Sequence, residues 1–117
     1  MNILFIQHHA PYDGYYAQEM LDMLLVVAAF GQTLSVLFQG DGVWQLVAKQ
    51  QPQTLGRLSI VAQLQALPLY DVEAVYVDEQ SLRERGLTAE QLLLPVQIIH
   101  NDHIASFINQ HQQLIRF

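Results

Sequence analysis

The sequence predicts an α/β protein: a three-layer α/β/α sandwich with a five-stranded, mainly parallel sheet. Short apolar runs without alternation, typical of strands covered on both faces, take turns with longer helical patterns. Gly31, Pro68 and Gly86 mark the ends of helical patterns. Strands and helices in this alternation are joined by right-handed crossovers, so all the strands should end at one edge of the sheet.

The elements follow in regular order along a chain of 117 residues, which we expect to form one domain, residues 1–117. Strands are predicted at residues 2–7, 34–38, 74–77, 96–100 and 114–117. Helices are predicted at residues 15–30, 43–48, 58–67, 78–85 and 102–110. Asp13 is a candidate cap for the first helix, and residues 88–91 have the pattern of a capping box.

Composition argues against several classes of protein. A net charge of -6, with only five lysine and arginine residues, leaves no basic patch, so we expect no direct binding to tRNA or DNA. The first residues lack a basic segment and become polar at Gln7, so we expect neither a signal peptide nor a membrane span, and a cytoplasmic location. The sequence contains no cysteine, which excludes disulfides and thiol chemistry by these residues.

Polar residues follow each of the first four predicted strands and should gather at the carboxyl edge of the sheet. They are His8, His9, Asp41, Asp78, His100, Asp102 and His103. Imidazole and carboxylate groups there could bind a metal or a small molecule, which is the alternative function we consider. Histidines in such loops are more often exposed or bonded to backbone, so we predict no metal and no cofactor.

Asp78 lies where a central strand runs into a helix, a place where it could be a nucleophile, a ligand or a cap. An aspartyl phosphoacceptor would also need an acidic pair after the first strand and a lysine in the last. The sequence has Gln7 and His8 at the first place and Arg116 at the second. A dinucleotide fingerprint is also missing, because residues 8–14 contain one glycine where it needs three.

Four short motifs occur in order along nearly the whole chain. They are Gly40-Asp41-Gly42-Val43-Trp44-Gln45-Leu46, Leu69-Tyr70-Asp71-Val72, Ser81-Leu82-Arg83-Glu84-Arg85-Gly86-Leu87 and Leu114-Ile115-Arg116-Phe117. Together with Ala10-Pro11 and Leu21-Asp22, they resemble the TusC/DsrF-like family of sulfur-relay subunits within the DsrE-like superfamily. The resemblance implies a DsrE-like fold.

It also implies a function. A protein of this family would be a non-catalytic subunit in a heterohexamer with TusB-like and TusD-like subunits. The complex would take sulfur from a TusA-like donor and pass it to a TusE-like acceptor, for 2-thiolation of the wobble uridine of tRNA. Sulfur-carrying relatives have a persulfide-forming cysteine eight residues before the glycine that corresponds to Gly86. That position is Asp78 here, and a carboxylate cannot carry a persulfide, so the resemblance favours a helix cap.

The apolar surplus predicts buried subunit interfaces. Hydrophobic residues make up 51% of the sequence, and residues 20–30 are apolar almost all round, so that helix needs a second cover besides the sheet, from its own domain or from a partner. The alternative is a monomer with many glutamines on its surface. Tryptophan is strongly enriched among interface anchors. The predicted interface residues are Met20, Leu24, Trp44, Leu46 and Val47.

Overall fold

The computed structural model describes residues 2–11, 13–47, 60–70, 72 and 74–117. Five strands form one sheet in the order β4-β3-β2-β1-β5. They are β1 (Asn2–Gln7), β2 (Thr33–Phe38), β3 (Val75–Asp78), β4 (Gln97–Ile99) and β5 (Gln113–Arg116). All four neighbouring pairs are parallel, which confirms the predicted sheet.

The described α-helices are α1 (Tyr16–Ala28), α2 (Ile60–Gln65), α3 (Glu79–Glu84) and α4 (Ile104–Asn109). Shorter 3-10 helices occur at Gly40–Leu46, Leu67–Tyr70, Ala89–Gln91 and Asn101–His103. None of the helices within the described ranges is long and apolar enough to cross a membrane. The predicted loop at 50–56 and the start of the helix predicted at 58–67 lie outside the described residues.

One predicted helix detail is wrong. The N-cap of α1 is Tyr15, which makes no side-chain cap bond, so Asp13 does not cap this helix. The short helical segment predicted at residues 43–48 is present as a 3-10 helix, which begins at Gly40 and ends at Leu46. The capping box at Thr88 is present, with its N–H donating to Gln91 Oε1 at 2.8 Å.

The core lies on both faces of the sheet, which confirms the three layers. On one face, Phe5, Val36 and Phe38 pack with α1, α2 and Leu82 of α3. On the other face, a smaller cluster of Leu4, Ile6 and Leu37 packs against α4. Because successive strand residues point to opposite faces, an apolar run without alternation supplies both cores at once.

Candidate functional site at the carboxyl edge of the sheet

Asp78 ends β3 and stands at the N-cap position of α3. It is 8% exposed, and its Oδ2 accepts a hydrogen bond from Ser81 Oγ at 2.7 Å. The side chain makes no cap bond to the backbone of the helix, so the predicted capping bond is wrong although the position is that of a cap. The second carboxylate oxygen, Oδ1, is buried and has no hydrogen-bond partner.

Ser81 connects Asp78 to the 3-10 helix Gly40–Leu46. Its Oγ accepts a hydrogen bond from the Gly40 backbone N–H at 2.8 Å while its hydroxyl hydrogen is donated to Asp78. A second link runs beside the first, because the guanidinium of Arg85 pairs with Asp41 at 3.0 Å and donates to the Ser81 carbonyl at 3.1 Å. The start of α3 and the start of the 3-10 helix are therefore held together by side chains.

The end of β1 is fixed by two buried glutamines. Gln7 is fully buried, its Oε1 accepts from the His9 backbone N–H at 3.1 Å, and its Nε2 donates to the Tyr16 carbonyl at 3.3 Å. Gln45, also fully buried, donates from Nε2 to the His9 carbonyl at 2.8 Å. The His9 ring stacks on Tyr16 with centroids 3.7 Å apart.

Gly42 brings the 3-10 helix against the end of β1. A Cβ atom added to Gly42 would lie 2.1 Å from the Gln7 carbonyl oxygen, so no side chain fits there. Sequence-based prediction placed Gly42 in the first of the four family motifs and missed this contact. It also missed Ser81 and the two glutamines, whose partners are up to 41 residues away in the chain.

The four histidines follow the first and fourth strands at the carboxyl edge of the sheet, as predicted, but they do not form one cluster. His8 and His9 follow β1, whereas His100 and His103 follow β4, and β2 and β3 lie between them. Three strand spacings amount to roughly 14 Å. His100 Nδ1 instead pairs with the Glu79 carboxylate at the start of α3. Within the described ranges, no group of three or more His, Asp or Glu side chains is placed to hold a metal ion.

The folded structure lowers the pKa of the His8 side chain. Its burial lowers the pKa of the imidazole below the ordinary value of 6.5, and the nearby charge of Arg116 acts in the same direction. A hydrogen bond with Gln39 opposes the effect by raising the pKa. The neutral ring therefore suits the folded environment better than the charged one.

Three of the five predicted interface residues belong to the interior of the chain. Met20, Leu24 and Leu46 are 0% exposed, so their side chains pack in the chain's own core and cannot face a partner, which corrects the prediction. Helical periodicity alone could not show which side of an all-apolar helix meets the sheet. Trp44 is 37% exposed and Val47 is half-buried, so these two remain candidates.

The fold and the strand-edge site define a small, fully parallel α/β domain with a buried aspartate at the end of β3. The model of the DsrE/DsrF-like family matches residues 1–117, and the chain belongs to that family. The chain is 37% identical to a TusC homolog of Pseudomonas aeruginosa, over 97% of this chain and 96% of that protein. It is 36% identical to a TusC homolog of Vibrio vulnificus, over 98% of both.

Two further similarities support the same family and fold. The intracellular sulfur oxidation protein DsrF of Allochromatium vinosum is 39% identical over 77% of this chain and 66% of its own length. The crystal structure of the ychN protein from E. coli matches 100% of this chain and 99% of that one, with a TM-score of 0.83 at 19% identity. At that identity the structural match shows the fold alone, and it confirms the DsrE-like sandwich.

Proposed function

We propose that this chain is a non-catalytic subunit of a TusBCD-type sulfur-relay complex that supports 2-thiolation of the wobble uridine of tRNA. The observation that carries the proposal is the buried carboxylate of Asp78, which accepts a hydrogen bond from Ser81 at the place where the family resemblance implies a cysteine in sulfur-carrying relatives. Similarity to TusC homologs over nearly the full chain supports the choice of subunit.

Sulfur relay requires a nucleophilic thiolate that can hold and release a sulfane sulfur. The sequence has no cysteine, and Asp78 is buried and used in a structural hydrogen bond. A carboxylate at this place can hold the Ser81 hydroxyl but cannot form a persulfide. The chemistry would therefore belong to another subunit, which on the family resemblance is TusD-like.

The contribution of this chain would be to assemble with TusB-like and TusD-like subunits in a heterohexamer in the cytoplasm. A TusA-like donor and a TusE-like acceptor would meet the complex, and this acidic chain would not touch tRNA itself. Trp44 is well placed for a subunit contact, because it sits between Gly40, which is bonded to Ser81 of α3, and Gln45, which is bonded to the His9 carbonyl after β1. An aromatic side chain on such an anchored turn loses little conformational freedom on binding.

The alternative function, a metal or small-molecule site along a histidine-lined edge, depended on the four histidines lying close together. The four histidines form two separate pairs rather than one cluster. An apolar cavity of about 540 Å³ does occur, but it lies beside α2 and the segment before β4, with Leu64, Val75 and Val96 among its lining residues. No observation at the histidines favours this function over the relay subunit.

A labelling experiment tests the proposal. The complete complex and the isolated chain are each incubated with a cysteine desulfurase, a TusA-like donor and [35S]cysteine. We expect reductant-labile label on the complex and none on this chain after the subunits are separated. Asp78→Cys is the positive control for detection, because it places a thiol at the same strand end. Reductant-labile label on the wild-type chain itself would contradict the proposal.

A second experiment tests the assembly. Co-expression with TusB-like and TusD-like subunits should give a stoichiometric complex, and Trp44→Ala should weaken it by about 2 kcal/mol, as expected for an aromatic hot spot. Tyr70→Ala is a matched control, because Tyr70 is a similarly exposed aromatic residue on another 3-10 helix. A wild-type chain that stays monomeric and ignores both partners would overturn the assigned function.

A further inference from the structure

The outer side of α1 is an apolar surface that the described chain leaves uncovered. Met23 and Val26 of α1 and Phe30 just after it, which we together call the α1 flank, are 42%, 60% and 76% exposed. A different side of the helix is occupied by α2 and the residues after it. Gln18 and Gln63 exchange hydrogen bonds there at 3.0 and 3.1 Å, and Leu25 lines a small cleft with Tyr70. At about 100° per residue, Met23 lies about 140° and Val26 about 80° from Gln18 around the helix.

The α1 flank faces the side of the sheet where β5 lies. α1 packs on β1 and β2, and α2 lies toward β3, so the free side of α1 points toward the last strand of the order. On this face β5 carries Ile115, and Phe117 follows it; both are only partly buried against the α1-side core. The α4 layer covers β5 on the other face, where Leu114 packs.

The width of a helix and the spacing of the strands indicate that one more helix would fit beside α1, above β5. A helix with its side chains is about 10 Å wide and therefore covers about two strands at 4.8 Å each. With α1 above β1 and β2, the next helix position on this face lies above β5. None of the described helices takes that position. The outer edge of β5 is also unpaired within the described sheet.

The charges on α1 and on the whole chain indicate which kind of partner could occupy the position above β5. α1 carries Glu19 and Asp22, both exposed, and no lysine or arginine. The whole chain has a net charge of -6, so two copies would approach against mutual repulsion. A partner with lysine or arginine beside an apolar stripe would instead be attracted to the same surface.

We propose that the α1 flank, together with Ile115 and Phe117, is a docking surface for an apolar helix with a basic rim from a different protein chain. The partner helix would lie beside α1 above β5 and complete the outer layer of the sandwich. This inference rests on the proposed function, because it supplies the surface by which the chain would join its complex. The α1 flank takes the place of Met20 and Leu24 as the interface on this helix, because those two side chains are buried in the core of the chain.

The lack of native cysteine allows a clean test by single-cysteine labelling. Val26→Cys and, as a control, Leu69→Cys are each treated with a maleimide reagent, alone and in the complex co-expressed with TusB-like and TusD-like subunits. Leu69 is 82% exposed on the 3-10 helix that follows α2. We expect Val26→Cys to react at least about tenfold more slowly in the complex, as at the dry centre of an interface, and Leu69→Cys to react equally in both.

The outcomes separate this inference from the proposed function. A complex that forms while Val26→Cys keeps its full reactivity would overturn the docking surface and leave the relay subunit standing. Failure of the wild-type chain to form any complex would overturn both the docking surface and the proposed function. Protection of Val26→Cys in the isolated chain that grows with its concentration would show that a second copy covers the flank, and would overturn the basic partner.

Charge reversal tests the basic rim. The double variant Glu19→Lys, Asp22→Lys should weaken assembly by about tenfold at low salt, with a smaller effect at high salt where charges are screened. The control pair Glu84→Lys, Glu90→Lys reverses two exposed acidic residues away from the flank. Equal weakening by both pairs, or an effect independent of salt, would overturn the basic partner.

Discussion

The ends of β1 and β3 lie at the same edge of the sheet, and each carries a buried polar side chain. The two side chains differ in how many of their polar atoms form hydrogen bonds. At β1 the amide of Gln7 both donates and accepts, so it satisfies the Tyr16 carbonyl and the His9 N–H at once. At β3 the carboxylate of Asp78 can only accept, and just one of its oxygens finds a donor.

This difference shows how side-chain chemistry decides what a strand end can do. An amide matches the mixed donors and acceptors of a loop backbone, whereas a carboxylate depends on donors brought from elsewhere. The donor to Asp78 is the hydroxyl of Ser81 in α3, and the Gly40 N–H of the 3-10 helix Gly40–Leu46 donates in turn to the Ser81 oxygen. Of these two side chains, Asp78 is thus less fully hydrogen-bonded than Gln7.

The strongest test of the β1 end is Gly42→Ala. The added methyl group would collide with the Gln7 backbone at 2.1 Å, and we expect the free energy of unfolding to fall by about 3 kcal/mol or more, as in severe overpacking. Urea denaturation measures the loss. Gly86→Ala is the control, because Gly86 has a positive φ of 66° but open space, and should lose only about 1 kcal/mol. A smaller loss at Gly42 than at Gly86 would refute the close contact.

The β3 end is tested next by Ser81→Ala. This change leaves the Gly40 N–H and the remaining bonded oxygen of Asp78 without partners, so the free energy of unfolding should fall by about 2 kcal/mol. Ser106→Ala is the control, since Ser106 is exposed and bonded only to the nearby His103 carbonyl at 3.0 Å. Equal effects of the two substitutions in chemical denaturation would show that the Ser81 link contributes nothing.

A smaller effect is expected for Asp78→Ala. It removes the acceptor of Ser81 but also removes an unsatisfied buried oxygen, so the net loss should be about 1 kcal/mol, without loss of complex assembly. The double variant with Ser81→Ala should cost less than the sum of the two single changes, because the residues act as one unit. Strict additivity in the unfolding free energies would argue against the coupling. Lost sulfur transfer with normal assembly and stability would give Asp78 a chemical role.

The smallest effect concerns His8 at the β1 end. Its folded-state pKa is lowered by burial, so below the ordinary value of 6.5 the unfolded chain binds a proton more readily than the folded one. Stability should therefore fall as the pH decreases through 6.5 and level off below the folded pKa. His8→Gln should make the stability profile flatter in that range when unfolding is measured at a series of pH values. If the unfolding free energy of the variant changes with pH as steeply as that of the wild type, His8 is not the cause of the pH dependence.

Much of the fold could be predicted because it depends on local patterns. Residues 2–7 are apolar without alternation, and that alone indicates a strand covered on both faces, as Phe5 and Leu4 show by packing on opposite sides. The helix bounds were less exact, since α1 ends at Ala28 rather than at Phe30. Helix ends depend on which residues gain enough packing to stay ordered, and Phe30 is largely exposed.

Less of the candidate site could be predicted. The strand-end rule located Asp78 correctly, because parallel strands bring their carboxyl ends to one edge. It placed the histidines on the same edge without giving the order of the strands, so it could not separate His8 from His100. It also could not find Ser81, since a serine three residues into a helix has no distinctive pattern until Gly40 is beside it.

The sequence by itself determined the class of fold, the absence of thiol chemistry among its residues and the position of Asp78. These follow from periodicity, composition and chain order, which need no knowledge of distant neighbours. Only the tertiary structure decided which side of α1 is buried, which strands separate the histidines and which donor reaches Asp78. Those outcomes depend on contacts between residues far apart in the chain, because packing, rather than local preference, selects one of several faces that look equally apolar in the sequence.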